Sequence, residues 1–591
     1  MAKALKKEMT RLLAVGGIVC SGAVSGFAWE PNAGELDAAI KSGDFAGYLA
    51  GATTWLNQKA PAKPSESALV GLLKDSVFLA VLDRRQLIAK TGADKLGAFA
   101  TADSANQSFL AWMLKNTQAM ELYLEGAVPI GLAAREENKY SLNTAALEIW
   151  KNILKADPDA GEGLYLKLAI ATALAPPGSL GVGAGGAATP ADPVVRYKHF
   201  KAAHKNKDLF PSFDHLTVWE YTQVVSSGAS DEDLTWAREM INTFRPDLRK
   251  DEMAVNSTSL VWRRGAPPQF YPGGYQNFKN VLAGGGKCGP RASWSTMVCQ
   301  AFGIPAIGVG QPRHACVAYK AANPMTQPQP GSAWKVGFGS GWQVSKLLGM
   351  TGLDFLAGVA KRADGAKFSQ VEHLRWLADT LAAADRAATV MEVARAINDS
   401  ITAAKTDLTA SLKPEEAEAD PGVKTGAKPD APKDVAAGGP GGSQMEPIKA
   451  VAGVLHVEPA SFARTGGKIS WGGQLPNVLV HDSYTGGKQI YFQQQMMEQW
   501  ADYTLDVPAA GRYEITMKAA CINEDQVLEV CSGTNVIAKV QIPLKYGLWE
   551  VSRPVELELE KGSQTVRVQT PTTEHKRGIA LKWFELKPKA N

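Results

Sequence analysis

The sequence predicts a multidomain chain: a mostly helical N-terminal region, a short α+β core, and a C-terminal β-sandwich of jelly-roll type. Three observations carry this. Apolar residues recur at helical spacing from Trp29 to about Leu260. The composition breaks at Lys413, and through Gln444 Pro, Gly, Lys, Glu and Asp leave almost nothing to bury. From about Val451 to Leu586 short alternating runs are separated by turn residues. The segments are then 1–28, 29–259, 260–365, 366–412, 413–445 and 446–591.

Met1 to Ala28 read as a secretory signal peptide. Lys3, Lys6, Lys7 and Arg11 precede or open the apolar run Leu12 to Phe27, and small residues end it at Ala28. A membrane anchor is the alternative, but the run is short and diluted by Gly and Ser. Val19 before Cys20 does not suit a lipoprotein signal. Cleavage removes four positive charges and Glu8, so a formal charge of +4 falls to about +1. Such a balance points to neither nucleic acid nor a charged membrane surface. The expected place is outside the cytoplasm: secreted, periplasmic or on the cell surface.

The helical region begins with Leu36, Ala39, Ile40 and Gly43. Leu147, Trp150, Ile153 and Leu154 form one apolar face, and Leu164, Leu168 and Ala171 another. Ser230-Asp231-Glu232-Asp233 has the form of a capping box before Leu234-Thr235-Trp236-Ala237. Pro176 to Pro190 is a Gly-rich loop too irregular to cradle phosphate. His199, His204 and His215 are widely spaced and set among lysines, so no metal site is expected there.

Chemistry concentrates between Gly284 and Tyr319. Three glycines lead to Cys288; Ala292, Met297, Val298, Ala301 and Phe302 follow at helical spacing and stop at Gly303-Ile304-Pro305. Cys288 is placed at a helix start, where unpaired N–H groups and the dipole favour a thiolate. His314 precedes the apolar run Ala315 to Tyr319, long enough for a strand. A thiolate facing an imidazole is the minimum apparatus for acyl transfer through a thioester.

Gly286-Lys287-Cys288, Ala292, Gly303-Ile304-Pro305-Ala306 and His314-Ala315 resemble, in order and register, the core of transglutaminase-like enzymes within the papain-like group. The resemblance implies Cys288 and His314 as catalytic residues and a protein or peptide amide as substrate, without a cofactor. The family's third residue is an aspartate shortly after Gly-Trp. Here Gly341-Trp342 is followed by Gln343, Val344 and Ser345, which leaves Ser345 and the more distant Asp354 as candidates. Gln276 is a candidate oxyanion donor. The interval from Ala306 to His314 leaves little room for an intervening strand.

Val371, Leu374, Leu377 and Leu381, continued by Ala384, Ala388 and Met391, predict a buried helical stripe. The flexible tract after it predicts that the following module is independent. Within that module Tyr503 to Val507, Tyr513 to Met517, Val527 to Val530, Val555 to Leu559 and Thr565 to Val568 read as strands. Trp500 to Tyr513, Trp549, Leu559-Glu560-Lys561-Gly562 and Leu581-Lys582-Trp583-Phe584 resemble the jelly-roll carbohydrate-binding modules of the family-six type. The resemblance implies a polysaccharide or glycoconjugate partner stacked on loop aromatics, with Trp549 the first candidate and sandwich filling its rival role. Ala580 stands about where that family often carries a sugar-binding asparagine. Glu458 is a single acid, and no calcium site is expected.

Of the cysteines left after cleavage, Cys299 lies roughly 16 Å along the helix from Cys288, and Cys316 roughly 7 Å from His314. Cys299 and Cys316 read as small buried side chains, whereas Cys521 and Cys531 flank a hairpin and leave pairing open. Two functions remain: a secreted cysteine enzyme acting on amides and targeted to glycan, or a non-catalytic surface protein that uses the same fold to bind peptide and glycan.

Overall fold

The computed structural model describes residues 29–130, 142–178, 191–250, 277–286, 288–311, 314–320, 334–336, 343–344, 350–403, 446–469, 478–493, 496–524, 526–571 and 578–589. Residues 1–28, read from sequence as a signal peptide, and the tract 413–445, read as a linker, lie outside them. No helix among the described residues is long and apolar enough to cross a membrane.

The helices are α1 (Ala33–Ser42), α2 (Phe45–Lys59), α3 (Glu66–Leu72), α4 (Ser76–Thr91), α5 (Ala93–Ala102) and α6 (Ser104–Lys115). There follow α7 (Thr117–Gly126), α8 (Thr144–Ala156), α9 (Gly163–Leu174), α10 (Pro193–Lys205), α11 (Val218–Val225) and α12 (Asp231–Phe244). Then come α13 (Phe278–Gly284), α14 (Cys288–Ala301), α15 (Gly352–Arg362), α16 (Gly365–Ala378) and α17 (Ala384–Ala403). Side-chain caps start many of them, as Asn32 does for α1 and Asp75 for α4. The Ser230 cap forms as the sequence reads, accepting from the Asp233 N–H at 3.1 Å. The reciprocal half of a capping box is complete elsewhere, between Thr217 and Glu220 at the start of α11.

One buried cluster runs from Leu36 through α14 to Ile401, so the core is continuous across the boundaries expected at 259/260 and 365/366. The stripe on α17 differs from expectation: Val390, Ala394, Ile397 and Ile401 are buried, while Ala384 and Ala388 are exposed. The cause is a break after Leu381. A new helix starts at Ala384, and the phase of α16 does not carry through.

A small sheet of order β3-β2-β1-β4 packs on this body: β1 (Ala306–Gln311), β2 (His314–Lys320), β3 (Trp334–Val336) and β4 (Gln343–Val344). A six-residue strand thus fills the interval that had little room for one.

The described residues between 446 and 589 form a β-sandwich. One sheet has the order β13-β12-β16-β10-β5, with β7 beside β10; the other has β14-β11-β17-β9-β8, with β15 on β11 and β6 on β17. In chain order the strands are β5 (Ile448–Lys449), β6 (Leu455–Val457), β7 (Arg464–Ile469), β8 (Leu479–Asp482), β9 (Lys488–Phe492), β10 (Met496–Val507) and β11 (Gly511–Cys521). The rest are β12 (Val527–Ser532), β13 (Asn535–Gln541), β14 (Glu550–Val551), β15 (Val555–Leu559), β16 (Gly562–Gln569) and β17 (Ile579–Pro588). The turn at Pro508-Ala509-Ala510 passes the chain from one sheet to the other. Ala501, Tyr503 and Leu505 meet Ile515, Met517, Phe584 and Leu586 between the sheets.

The sandwich is not independent of the helical body. Ala520 pairs with Ala580, Ala580 with Tyr491, and Tyr491 with Leu479, which makes one cross-strand row on the sheet's outer face. Tyr491, Ala520, Ile522 and Ala580 belong to the same buried cluster as the helices, with Leu479 packed against it. An apolar row with two alanines lets α12 approach closely, and its burial favours docking over free tethering.

Candidate functional site

Cys288 is the first residue of α14 and is half-buried. The chain reaches it from α13 through Gly285, whose φ of +76° ends that helix while its N–H donates to the Val281 carbonyl at 2.9 Å. Pro290, in the first turn, removes only an N–H that has no intrahelical acceptor. Beyond it Trp294, Met297, Val298, Cys299 and Ala301 are buried and anchor the helix.

The turn after α14 sets the rest of the geometry. Gly303 has φ +78°, and a Cβ there would lie 2.7 Å from Phe213 Cδ2. Gln300 Nε2 donates to the carbonyls of Gln223 at 2.8 Å and Ala306 at 3.3 Å, which holds the start of β1 against the end of α14. The helix then rises about 21 Å, and β1 returns about 20 Å. Gln311 pairs with His314, so β2 runs back antiparallel to β1 and begins at His314. His314 is exposed.

The remaining candidates fare differently. Asp354 is exposed in the first turn of α15, where its Oδ2 accepts from the Thr351 hydroxyl at 2.7 Å and its N–H donates to Thr351 Oγ1 at 3.2 Å. That carboxylate caps its own helix. Gln276 and Ser345 lie outside the described residues. β4 joins β1 through Val309–Val344 and Gly310–Gln343, so the chain after Trp342 passes the His314 end of the sheet.

Cys288, Cys299, Cys316, Cys521 and Cys531 are all free thiols. Cys521 and Cys531 lie in different sheets, and burial pushes the Cys521 thiol up to about 12. Among the described residues no group of three His, Cys, Asp or Glu is placed to hold a metal ion. His204 lies between Tyr165 Oη at 3.0 Å and Asp214 at 2.8 Å. Burial, reinforced by Arg238 and Arg196, pushes His199 down to about 3.

Trp549 is half-buried and packs against the cluster shared with the helices; its indole N–H is buried without a hydrogen-bond partner. Trp549 thus stands beside the apolar cluster that sandwich and helices share. Ala580 lies in the row beside it. Sequence reading missed the opposite sheet's polar face. On β10, Ala501 and Tyr503 point inward while Trp500 and Asp502 share the other face, which the two-residue alternation could have revealed. Arg567 Nε donates to Asp502 at 2.7 Å, Arg464 Nη2 donates to it at 3.0 Å, and the Arg567 guanidinium lies 3.9 Å from the Trp500 ring centroid. Gly466 admits the indole, since a Cβ there would fall 2.7 Å from Trp500 Cζ2. Gln569 and Lys539 extend the face to Glu529 at 3.0 and 3.1 Å.

No protein-family model and no curated protein matches this sequence. Among solved structures, the C-terminal CBM6 of LamC, a marine laminarinase from Zobellia galactanivorans, aligns at 14% identity over 23% of this chain and 98% of that one, with a TM-score of 0.18. The carbohydrate-binding module CBM6cm-2 from Cellvibrio mixtus lichenase 5A, in complex with cellotriose, aligns at 17% identity over 23% and 97%, with a TM-score of 0.19. A β-1,3-glucan-binding CBM6 from Bacillus halodurans aligns at 14% over 22% and 94%, also at 0.19. The sandwich described above is defined by its own strand pairing.

Proposed function

We propose that this chain is an exported cysteine enzyme of the transglutaminase-like kind, acting on protein or peptide amides and carrying a glycan-binding sandwich. What supports it most is that Cys288 begins α14 and His314 begins β2, the strand that pairs antiparallel with β1 directly after that helix. Cys288 Sγ attacks the amide carbonyl while His314 takes the thiol proton. Backbone N–H groups at the start of α14 hold the oxyanion. Collapse breaks the C–N bond, the histidine proton goes to the leaving amine, and a thioester remains. Water resolves it to an acid, or a lysine amine resolves it to a new amide.

The sandwich would contribute through the Trp500 face, where half-buried Trp500 stands beside the Arg567 and Arg464 guanidinium groups that buried Asp502 holds in place. Glycan binding would raise the local concentration of substrate on a polysaccharide-rich surface. The engagement of Asp354 with Thr351 favours a second reading, in which the cleft binds peptide without turnover. Incubation with peptide amides, followed by acid quench and intact-mass analysis, separates the two. The enzyme reading expects an acyl adduct on Cys288 that Cys288→Ala abolishes; binding without any adduct supports the second.

A further inference from the structure

We propose that the β-sandwich is a positioning element for the Cys288 helix and acts on it through Trp236 of α12. The inference rests on the acyl-transfer reading of Cys288 for its functional consequence.

The joint is built from both sides. Trp236 Nε1 donates to the Tyr546 carbonyl at 3.1 Å, in the turn that leads to β14. Tyr546 and Gly547 have φ of +50° and +83°, and a Cβ on Gly547 would lie 2.5 Å from Met240 Cγ. The sandwich's backbone thus comes directly onto α12, at a position only glycine fits without strain. One turn on, Gln489 Nε2 donates to the Thr243 carbonyl at 2.8 Å, and Tyr491 meets Phe244 edge-on with centroids 5.3 Å apart. Gln489 is fully buried, so these contacts close α12's C-terminal end away from water.

The other face of α12 holds the nucleophile helix. The Trp236 ring meets Trp294 of α14 edge-on at 5.8 Å, and Lys279 of α13 lies 5.5 Å from its centroid. Lys279 belongs to the helix that delivers Gly284 to Gly286 and then Cys288. Arg238, two residues along, donates to the carbonyl of Ala301 at the far end of α14 at 2.8 Å. One indole therefore touches the sandwich, the approach to Cys288 and the Cys288 helix. Trp236 is 5% exposed, and close packing of this kind transmits displacement. With the sandwich removed, Trp236 loses its acceptor and the anchoring of α13 and α14 loosens.

The test is hydrogen–deuterium exchange on the full mature chain, with docking read separately by small-angle scattering. Gly547→Ala should undock the sandwich and speed exchange in α13 and the first turn of α14 about tenfold. Trp236→Phe keeps an aromatic ring beside Trp294 while removing the N–H and the pyrrole part of the indole; it should speed the same amides about threefold. This second variant decides the matter if Gly547→Ala unfolds the sandwich itself. Exchange within twofold of wild type in both variants would overturn the proposal, as would a Gly547→Ala protein that folds and stays docked. The exchange readout does not use Cys288 chemistry. An inert Cys288 with responsive amides would sink the acyl-transfer reading alone; equal turnover in every variant with unchanged amides would sink the coupling alone.

Discussion

Arg238 donates through both terminal nitrogens to His199 Nε2 at 3.2 Å, while Nη1 also donates to the Ala301 carbonyl at 2.8 Å. A guanidinium only donates, so His199 Nε2 accepts and the ring is neutral with its proton on Nδ1. The end of the Cys288 helix is thus closed by an arginine that a neutral histidine orients.

This neutrality makes the fold acid-sensitive. Burial first, then the charges of Arg238 and Arg196, hold the folded His199 pKa at about 3 against an ordinary 6.5. The unfolded chain binds the extra proton, so stability is lost as pH falls from about 6.5 toward 3. His199→Gln keeps an acceptor for Arg238 and removes the titration. We expect little change at pH 7.5 and a variant more stable than wild type by about 1–2 kcal/mol at pH 5. Urea titrations at the two pH values check this.

Arg196 is fully buried and donates to Asp231 at 2.5 Å and to the carbonyls of Val225, Ser227 and Ala229 at 2.8, 3.1 and 2.6 Å. It ties the end of α11 to the start of α12, the helix that carries Trp236. Arg196→Ala leaves Asp231 and the carbonyls unpaired, and the expected loss is about 3–5 kcal/mol in denaturant unfolding. A loss below 1 kcal/mol would mean that water replaces the guanidinium.

Trp500 and Trp549 should separate binding from docking. Trp500→Ala is expected to lower glycan affinity at least tenfold, with docking unchanged. Trp549→Ala is expected to do the reverse. Gel retardation across a panel of soluble polysaccharides reads the first property, and small-angle scattering the second.

Local signals in the sequence reached far. Leu147, Trp150 and Ile153 mark the buried face of α8, and Tyr503 to Val507 lies within β10. The Cys288-to-Ala306 interval forms the helix and turn that its pattern implies. What escaped is long-range. No period in the sequence shows that Ala520, Ala580 and Tyr491 line up across three strands to receive α12. Docking depends on surface complementarity that only the folded faces display. Trp549 was ambiguous for the same reason: an aromatic in a loop has the same local signature whether it meets sugar or a helix. Gln276 and Ser345 lie outside the described residues, and Asp354 answers to Thr351.

The central claim is that Cys288 and His314 act as one chemical unit. Its most direct measurement is the rate of iodoacetamide labelling at Cys288, by peptide mass spectrometry, in the protein lacking residues 1–28 and in its His314→Ala variant. The account predicts that Cys288 labels faster than the other four thiols and that losing the imidazole slows it at least tenfold near neutral pH. Equal rates in the two proteins would contradict it, and the cleft would then be read as a binding site.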